Sequence, residues 1–177
     1  MHKLINGAHR RTSSFDSRLL ITIDILNKLV DSVNSLTFDP YEQLLFKALF
    51  LFAFFAFARV GELVTVHGSN PGHVIQLEDI SISAVSDDVQ SVHVSFKRFK
   101  HYYVGTPKVV SFSHGDTKIL AVKMLIDFFQ HRHKNGGQLY CMQDGILLCR
   151  SHFEKIYISV CLFVAWIAHV TKDTVSV

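Results

Sequence analysis

Asp39-Pro-Tyr-Glu-Gln-Leu-Leu-Phe-Lys-Ala-Leu-Phe-Leu-Phe-Ala-Phe-Phe-Ala-Phe-Ala-Arg-Val-Gly-Glu-Leu-Val64 decides how the rest of the chain is arranged. Its opening reads as a helix start: Asp39 can cap, Pro40 suits the first helical position, and Glu42 completes an Asp-x-x-Glu capping box. The spacing predicts one helix over Asp39–Ala58, apolar on nearly every side and ended near Gly61. A helix without a polar face belongs in a core or a membrane. The uninterrupted apolar run Ala48–Ala58 is 11 residues long, against about 20 for a membrane span, so a buried helix is the better reading. It delivers one cation, Arg59, at its inner end, with Glu62 three residues on. A cation near a helix C-terminus is ordinary in itself, so spacing alone assigns Arg59 no chemistry.

Working outward, Thr22 can cap a preceding helix over Ile23–Ser35, with Leu26, Leu29, Val30 and Val33 in one apolar stripe. Beyond the turn cluster Gly68-Ser-Asn-Pro-Gly72 the periodicity changes from helical to alternating. Ile80–Ser83, Val92–Phe96 and Val109–Phe112 read as three short strands of an antiparallel meander, with turns at Asp87-Asp88 and Val104–Pro107. A helix over Lys118–His133 follows, capped by Asp116 or Thr117 and stopped by Asn135-Gly-Gly137. Gln138–Cys141 and Gly145–Leu148 read as short extended segments. Ser151-His-Phe-Glu154 reads as a capping box opening a last helix. The expected fold class is therefore α+β, mainly helical with a small three-stranded antiparallel sheet.

From Val89 to Gly115 there is no acidic residue, while Lys97, Arg98, Lys100 and Lys108 stand there with His93, His101 and His114. Phe96, Phe99, Tyr102 and Tyr103 interleave them. A basic hairpin studded with aromatics suits phosphate binding, and it equally suits a solvated sheet face with lysines guarding an edge. Residues His2–Arg18 are also basic, with Asp16 their one acid, and read as a linker or solvated arm.

Phe-Ala-Arg59-Val-Gly-Glu62-Leu resembles the first catalytic-arginine motif of the tyrosine recombinases, the phage-integrase and XerD-like family, whose usual form is an apolar helix followed by Arg-x-x-Glu-Leu. The order of elements strengthens the resemblance. The family places a three-stranded sheet directly after this motif and a catalytic lysine on the hairpin of its second and third strands. Ser95-Phe-Lys-Arg-Phe-Lys-His101 resembles that segment. Lys100, nearest the turn, is the choice for the catalytic lysine, and Lys97 is the alternative because hairpin register is open. Lys97, Arg98, His101 and Lys108 would then contact DNA. Residues 1–20 would be the interdomain arm, 21–155 part of a catalytic domain, and 156–177 a divergent apolar tail.

The family's chemistry is attack by a tyrosine on a DNA phosphodiester, giving a 3′-phosphotyrosyl intermediate and a free 5′-hydroxyl. Two arginines stabilise the charge that builds on phosphorus, and the lysine protonates the leaving oxygen. The family's His-x-x-Arg pair, and a tyrosine following it, have no counterpart in this sequence. The resemblance thus implies a truncated, DNA-binding relative without strand-cleaving activity of its own. Two other classes stay open: a non-catalytic module binding nucleic acid or protein, and a small membrane-associated protein using Ala48–Ala58 and Ile156–Val170. A protein partner on the apolar tail is compatible with the first.

Apolar residues make up 49% of the 177, charged residues 19%, and the net charge is +3. Such a composition affords a packed core and permits a polyanionic partner without demanding one. Cys141, Cys149 and Cys161 are odd in number and lack metal-site spacing, so a reducing, intracellular compartment is expected. Cysteine usage places the chain no further, and the recombinase resemblance implies the nucleus if the source is a eukaryote. His131-x-His133 has no third ligand placed near it. No cofactor, metal or small-molecule substrate is expected.

Overall fold

The computed structural model describes residues 21–66, 70–86, 89–97, 107–113, 119–133 and 136–173. The elements, in chain order, are α1 (Ile23–Leu36), α2 (Pro40–Ala56), the four-residue α3 (Val60–Leu63), single 3-10 turns at Pro71–His73 and Leu77–Asp79, β1 (Ile80–Ser86), β2 (Val89–Phe96), β3 (Lys108–Ser113), α4 (Ile119–His131) and α5 (Arg150–Asp173). The fold is α+β, with one antiparallel sheet in the order β1-β2-β3.

Helix α1 forms where its stripe predicts. Thr22 Oγ1 accepts from Ile25 N at 3.3 Å, and Leu26, Leu29, Val30 and Val33 are buried. Helix α2 lies among α1, α4 and the sheet, which is why it needs no polar face. Its phenylalanines spread in several directions. Phe50 meets Phe153 and Tyr157 of α5 at 6.0 and 6.2 Å between ring centroids. Phe52 meets Phe96 of β2, Phe112 of β3 and Tyr140 at 6.2, 5.5 and 6.1 Å. Lys47, the single charge in the run, donates to Asn34 Oδ1 of α1 at 2.5 Å. Among the described residues no helix is long and apolar enough to cross a membrane.

Three sequence expectations need correction. The central helix stops at Ala56 rather than Ala58, because Phe57 takes a left-handed conformation (φ 52°). Phe57 N then donates to Phe54 O (3.3 Å) and Ala58 N to Ala53 O (3.1 Å), closing a Schellman motif with phenylalanine where glycine is usual. Gly61 consequently sits inside α3 and does not end the long helix. The capping boxes expected at Asp39 and Ser151 do not close. Asp39 caps Tyr41 N at 2.9 Å, but Glu42 Oε2 accepts from the Thr37 hydroxyl at 2.7 Å. Ser151 lies inside α5, which begins at Arg150, and so does not cap it; Glu154 Oε1 accepts from Arg150 Nε one turn away at 2.7 Å.

The sheet presents Val92, Val94, Phe96 and Phe112 to the core. Its other face carries alternate residues: Ser81, Ser83, Ser91, His93, Ser95, Ser111 and Ser113. There His93 Nε2 lies 2.9 Å from Ser83 Oγ and 3.0 Å from Ser91 Oγ, and its Nδ1 lies 2.8 Å from Ser111 Oγ. The pairing Ser91↔Ser113 through Phe96↔Lys108 fixes the β2–β3 register. The joining residues 98–106 lie outside the described residues, as does the turn at 87–88.

Helix α5 runs unbroken across the boundary at 155/156. Phe153 and Val160 are buried, and Ile156, Tyr157, Cys161 and Val164 pack partly against the core. Ile158 and Leu162, one turn apart, are exposed.

Candidate functional site

Arg59 is exposed and has an extended backbone (φ −81°, ψ 149°), so it stands on the elbow between α2 and α3. Its amide donates to Glu62 Oε2 at 2.8 Å, and its carbonyl accepts from Glu62 N at 2.8 Å. Glu62 of the Arg-x-x-Glu pair therefore starts the short helix that positions the arginine. Among the described residues no carboxylate is paired with the Arg59 guanidinium.

A series of hydrogen bonds fixes this elbow from behind. Ile75 N donates to Glu62 O at 2.9 Å, and Leu139 N donates to Ile75 O at 2.9 Å. Leu139 O in turn accepts from Arg132 Nε at 2.7 Å. Arg132 is 4% exposed and also donates to His133 O at 2.6 Å and Gln138 O at 2.5 Å. Three carbonyls aimed at one planar fork offset the cost of burying its charge. The side chain of Gln138, itself buried, donates to Leu148 O at 3.2 Å and Leu63 O at 3.4 Å. Downstream, Thr65 N donates to Leu148 O (3.3 Å) and Arg150 N to Thr65 O (2.7 Å). Three separated segments, at Ile75, Gln138 and Leu148–Arg150, thus bond to residues 62–65, and Arg132 braces the second of them.

Arg132 and Gln138 were not singled out by sequence reasoning. Arg132 lies in the polar end His131-Arg132-His133, which looks solvated, and the carbonyls that surround it come from a loop that only the tertiary fold brings back. Glu62 carried a signal, since Arg-x-x-Glu holds the second half of a capping box.

Of the basic residues, Lys97 is described and is engaged. Its Nζ is 2.7 Å from Glu78 Oε1 and 2.6 Å from Asp79 Oδ1, the latter side chain nearly buried. The Asp79 and Glu78 carboxylates raise the Lys97 ammonium above its ordinary value, and the hydrogen bond from Lys97 holds Glu78 below the usual carboxylate range. Lys97, Glu62, His73, Asp79 and Ser95 line one small cleft of about 20 Å³, room for about one water molecule, so the start of α3 and the end of β2 are neighbours. Lys108 is exposed on β3. Arg98, Lys100 and His101 lie outside the described residues, and so do Tyr102 and Tyr103.

The three remaining tyrosines are poor nucleophiles. Tyr140 is fully buried, stacked on Phe128 at 5.7 Å, with no partner for its hydroxyl among the described residues. Burial pushes its phenol well above the ordinary value. Burial, then the Cys141 neighbourhood, raises Tyr41, whose hydroxyl donates to Cys141 O at 2.8 Å. Burial likewise raises Tyr157. An attacking phenol needs the opposite shift.

Neither a protein-family model nor a curated protein matches this chain. Its fold is similar to that of a solved structure described as the XerH site-specific recombinase bound to difH substrate in a pre-cleavage complex, with a TM-score of 0.50 and 12% identity. The similarity covers 82% of this chain and 36% of that one, so the chain spans about a third of that protein's length. At this identity the likeness concerns the fold: helices and a three-stranded antiparallel sheet resembling part of a tyrosine recombinase.

Proposed function

We propose that this chain binds DNA through the surface bearing Arg59 and the basic span Lys97–Lys108, in the manner of a tyrosine recombinase, and does not cleave DNA by itself. The observation that carries the reading is the Arg59 elbow: an exposed guanidinium with no carboxylate on it among the described residues, held by backbone bonds from several segments, on a fold shared with a DNA recombinase. A guanidinium carried on a fixed backbone can match a phosphate bidentately. Lys97 is occupied by Asp79 and Glu78, which favours Lys100 as the lysine that completes the grip. Arg98, His101 and Lys108 add charge along the same span of sequence, and His2–Arg18 is likewise basic. The sequence contains no His-x-x-Arg, and the described tyrosines have raised pKa values, both of which argue against a covalent step.

The test measures DNA affinity against salt for the wild type and for Arg98→Gln with Lys100→Gln. Removing one phosphate-binding cation is expected to reduce the salt slope by about one unit. Unchanged affinity and slope would remove the hairpin from the interface. A protein–DNA adduct surviving denaturation would refute the absence of cleavage. The exposed Ile158 and Leu162 on α5 support a second contact, with a protein partner. Ile158→Asp with Leu162→Asp should leave DNA binding intact while abolishing any such association.

A further inference from the structure

Phe57 combines two unfavourable features. It is 92% exposed, and it is the one non-glycine residue with positive φ among those described. A phenyl ring in water gains nothing from burial, and a side chain in the left-handed region strains its backbone. Glycine would relieve the strain and close the same Schellman motif. The backbone that carries the ring is fixed, because that motif holds both Phe57 N and Ala58 N on α2 carbonyls. An exposed aromatic ring on a fixed backbone therefore stands two residues before the exposed guanidinium of Arg59.

We infer that Phe57 is a stacking platform for an unpaired nucleobase beside the phosphate that Arg59 holds. The inference rests on the DNA-binding reading and adds to it a preference for an interrupted duplex. A flat apolar face next to a bidentate cation matches the two halves of a nucleotide. Stacking on an aromatic side chain tolerates any base, since every base has a π-face. Strain kept at a solvent-exposed position is the pattern expected of a binding site.

The experiment compares a fully paired hairpin duplex with the same duplex carrying a one-nucleotide gap opposite 2-aminopurine. Proteins are the wild type, Phe57→Gly, Phe57→Trp and Phe38→Ala. Phe38 is the control, being 95% exposed at the far end of α2, about 25 Å away by helical rise. Wild type and Phe57→Trp should quench the 2-aminopurine and prefer the gapped DNA. Phe57→Gly should lose roughly tenfold in affinity for gapped DNA, with duplex affinity and salt slope unchanged. Its melting temperature should rise by about 2–4 °C, which separates a missing stacking platform from a misfolded protein. Equal binding of gapped DNA by Phe57→Gly and wild type overturns this inference alone. A wild type that binds neither DNA overturns it together with the DNA-binding reading.

Discussion

Arg132→Met tests the support of the candidate site. The substitution keeps the apolar stem and removes the fork that donates to Leu139 O, His133 O and Gln138 O. A buried acceptor left without its donor costs about 1–3 kcal/mol, so the gross loss over three carbonyls is roughly 3–9 kcal/mol. Relief of the desolvation of a buried charge returns several kcal/mol. The expected net destabilisation is about 2–4 kcal/mol, a fall in melting temperature of roughly 5–15 °C for a chain of this size. Arg132→Lys keeps the charge but lacks the fork, and should fall between wild type and the Met variant. Urea unfolding gives the free energies. Hydrogen exchange localises the effect: the Leu139 and Ile75 amides, which link Arg132 to Glu62, should lose protection before the α1 amides do. A Met variant within about 0.5 kcal/mol of wild type, or unchanged exchange at Ile75, would refute the idea that Arg132 braces the elbow.

Tyr140→Phe should be neutral or stabilising by up to about 1–3 kcal/mol, because its buried hydroxyl has no partner among the described residues; a clear loss in urea unfolding would reveal one. Tyr41, Tyr140 and Tyr157 all have raised pKa values in the fold. Their contribution is whole below the ordinary tyrosine value and is lost as pH rises above it, since the unfolded chain sheds protons that the folded chain retains. Tyrosinate absorbance from the buried Tyr41 and Tyr140 should appear only together with alkaline unfolding, and their titration ahead of unfolding would contradict that burial. Cys149, lowered by the Ser151 hydroxyl and the His152 amide, should alkylate at neutral pH well before the buried Cys141. Peptide mapping after brief iodoacetamide treatment checks the order.

Much of the fold was legible because two periods carry it. The stripe Leu26, Leu29, Val30, Val33 gives α1, and the alternation of Val92, Val94 and Phe96 with Ser91, His93 and Ser95 gives β2 and its orientation. The motif around Arg59 was legible as a motif, but its geometry was not. Nothing local announces that Phe57 rather than Gly61 ends α2, since a left-handed phenylalanine runs against backbone preference. The capping boxes at Asp39 and Ser151 were plausible; the first failed because Thr37 takes the Glu42 carboxylate, the second because α5 begins one residue early, at Arg150, and leaves Ser151 inside the helix. Arg132 and Gln138 were illegible because their role depends on carbonyls from loops that no periodicity describes.

The bonds that assemble the elbow join residues far apart in the chain. Gln138 reaches Leu63 across 75 positions and Thr65 reaches Leu148 across 83. Contacts of that span form late, because long loops must close first. The ribosome adds about 5–20 residues per second, so roughly 5–20 s pass between the synthesis of Arg59 and that of Arg150. Throughout that interval α2 exists beside an arginine with no fixed position. The geometry around Arg59 is therefore absent from a nascent chain until Arg150, which bonds Thr65, has been added.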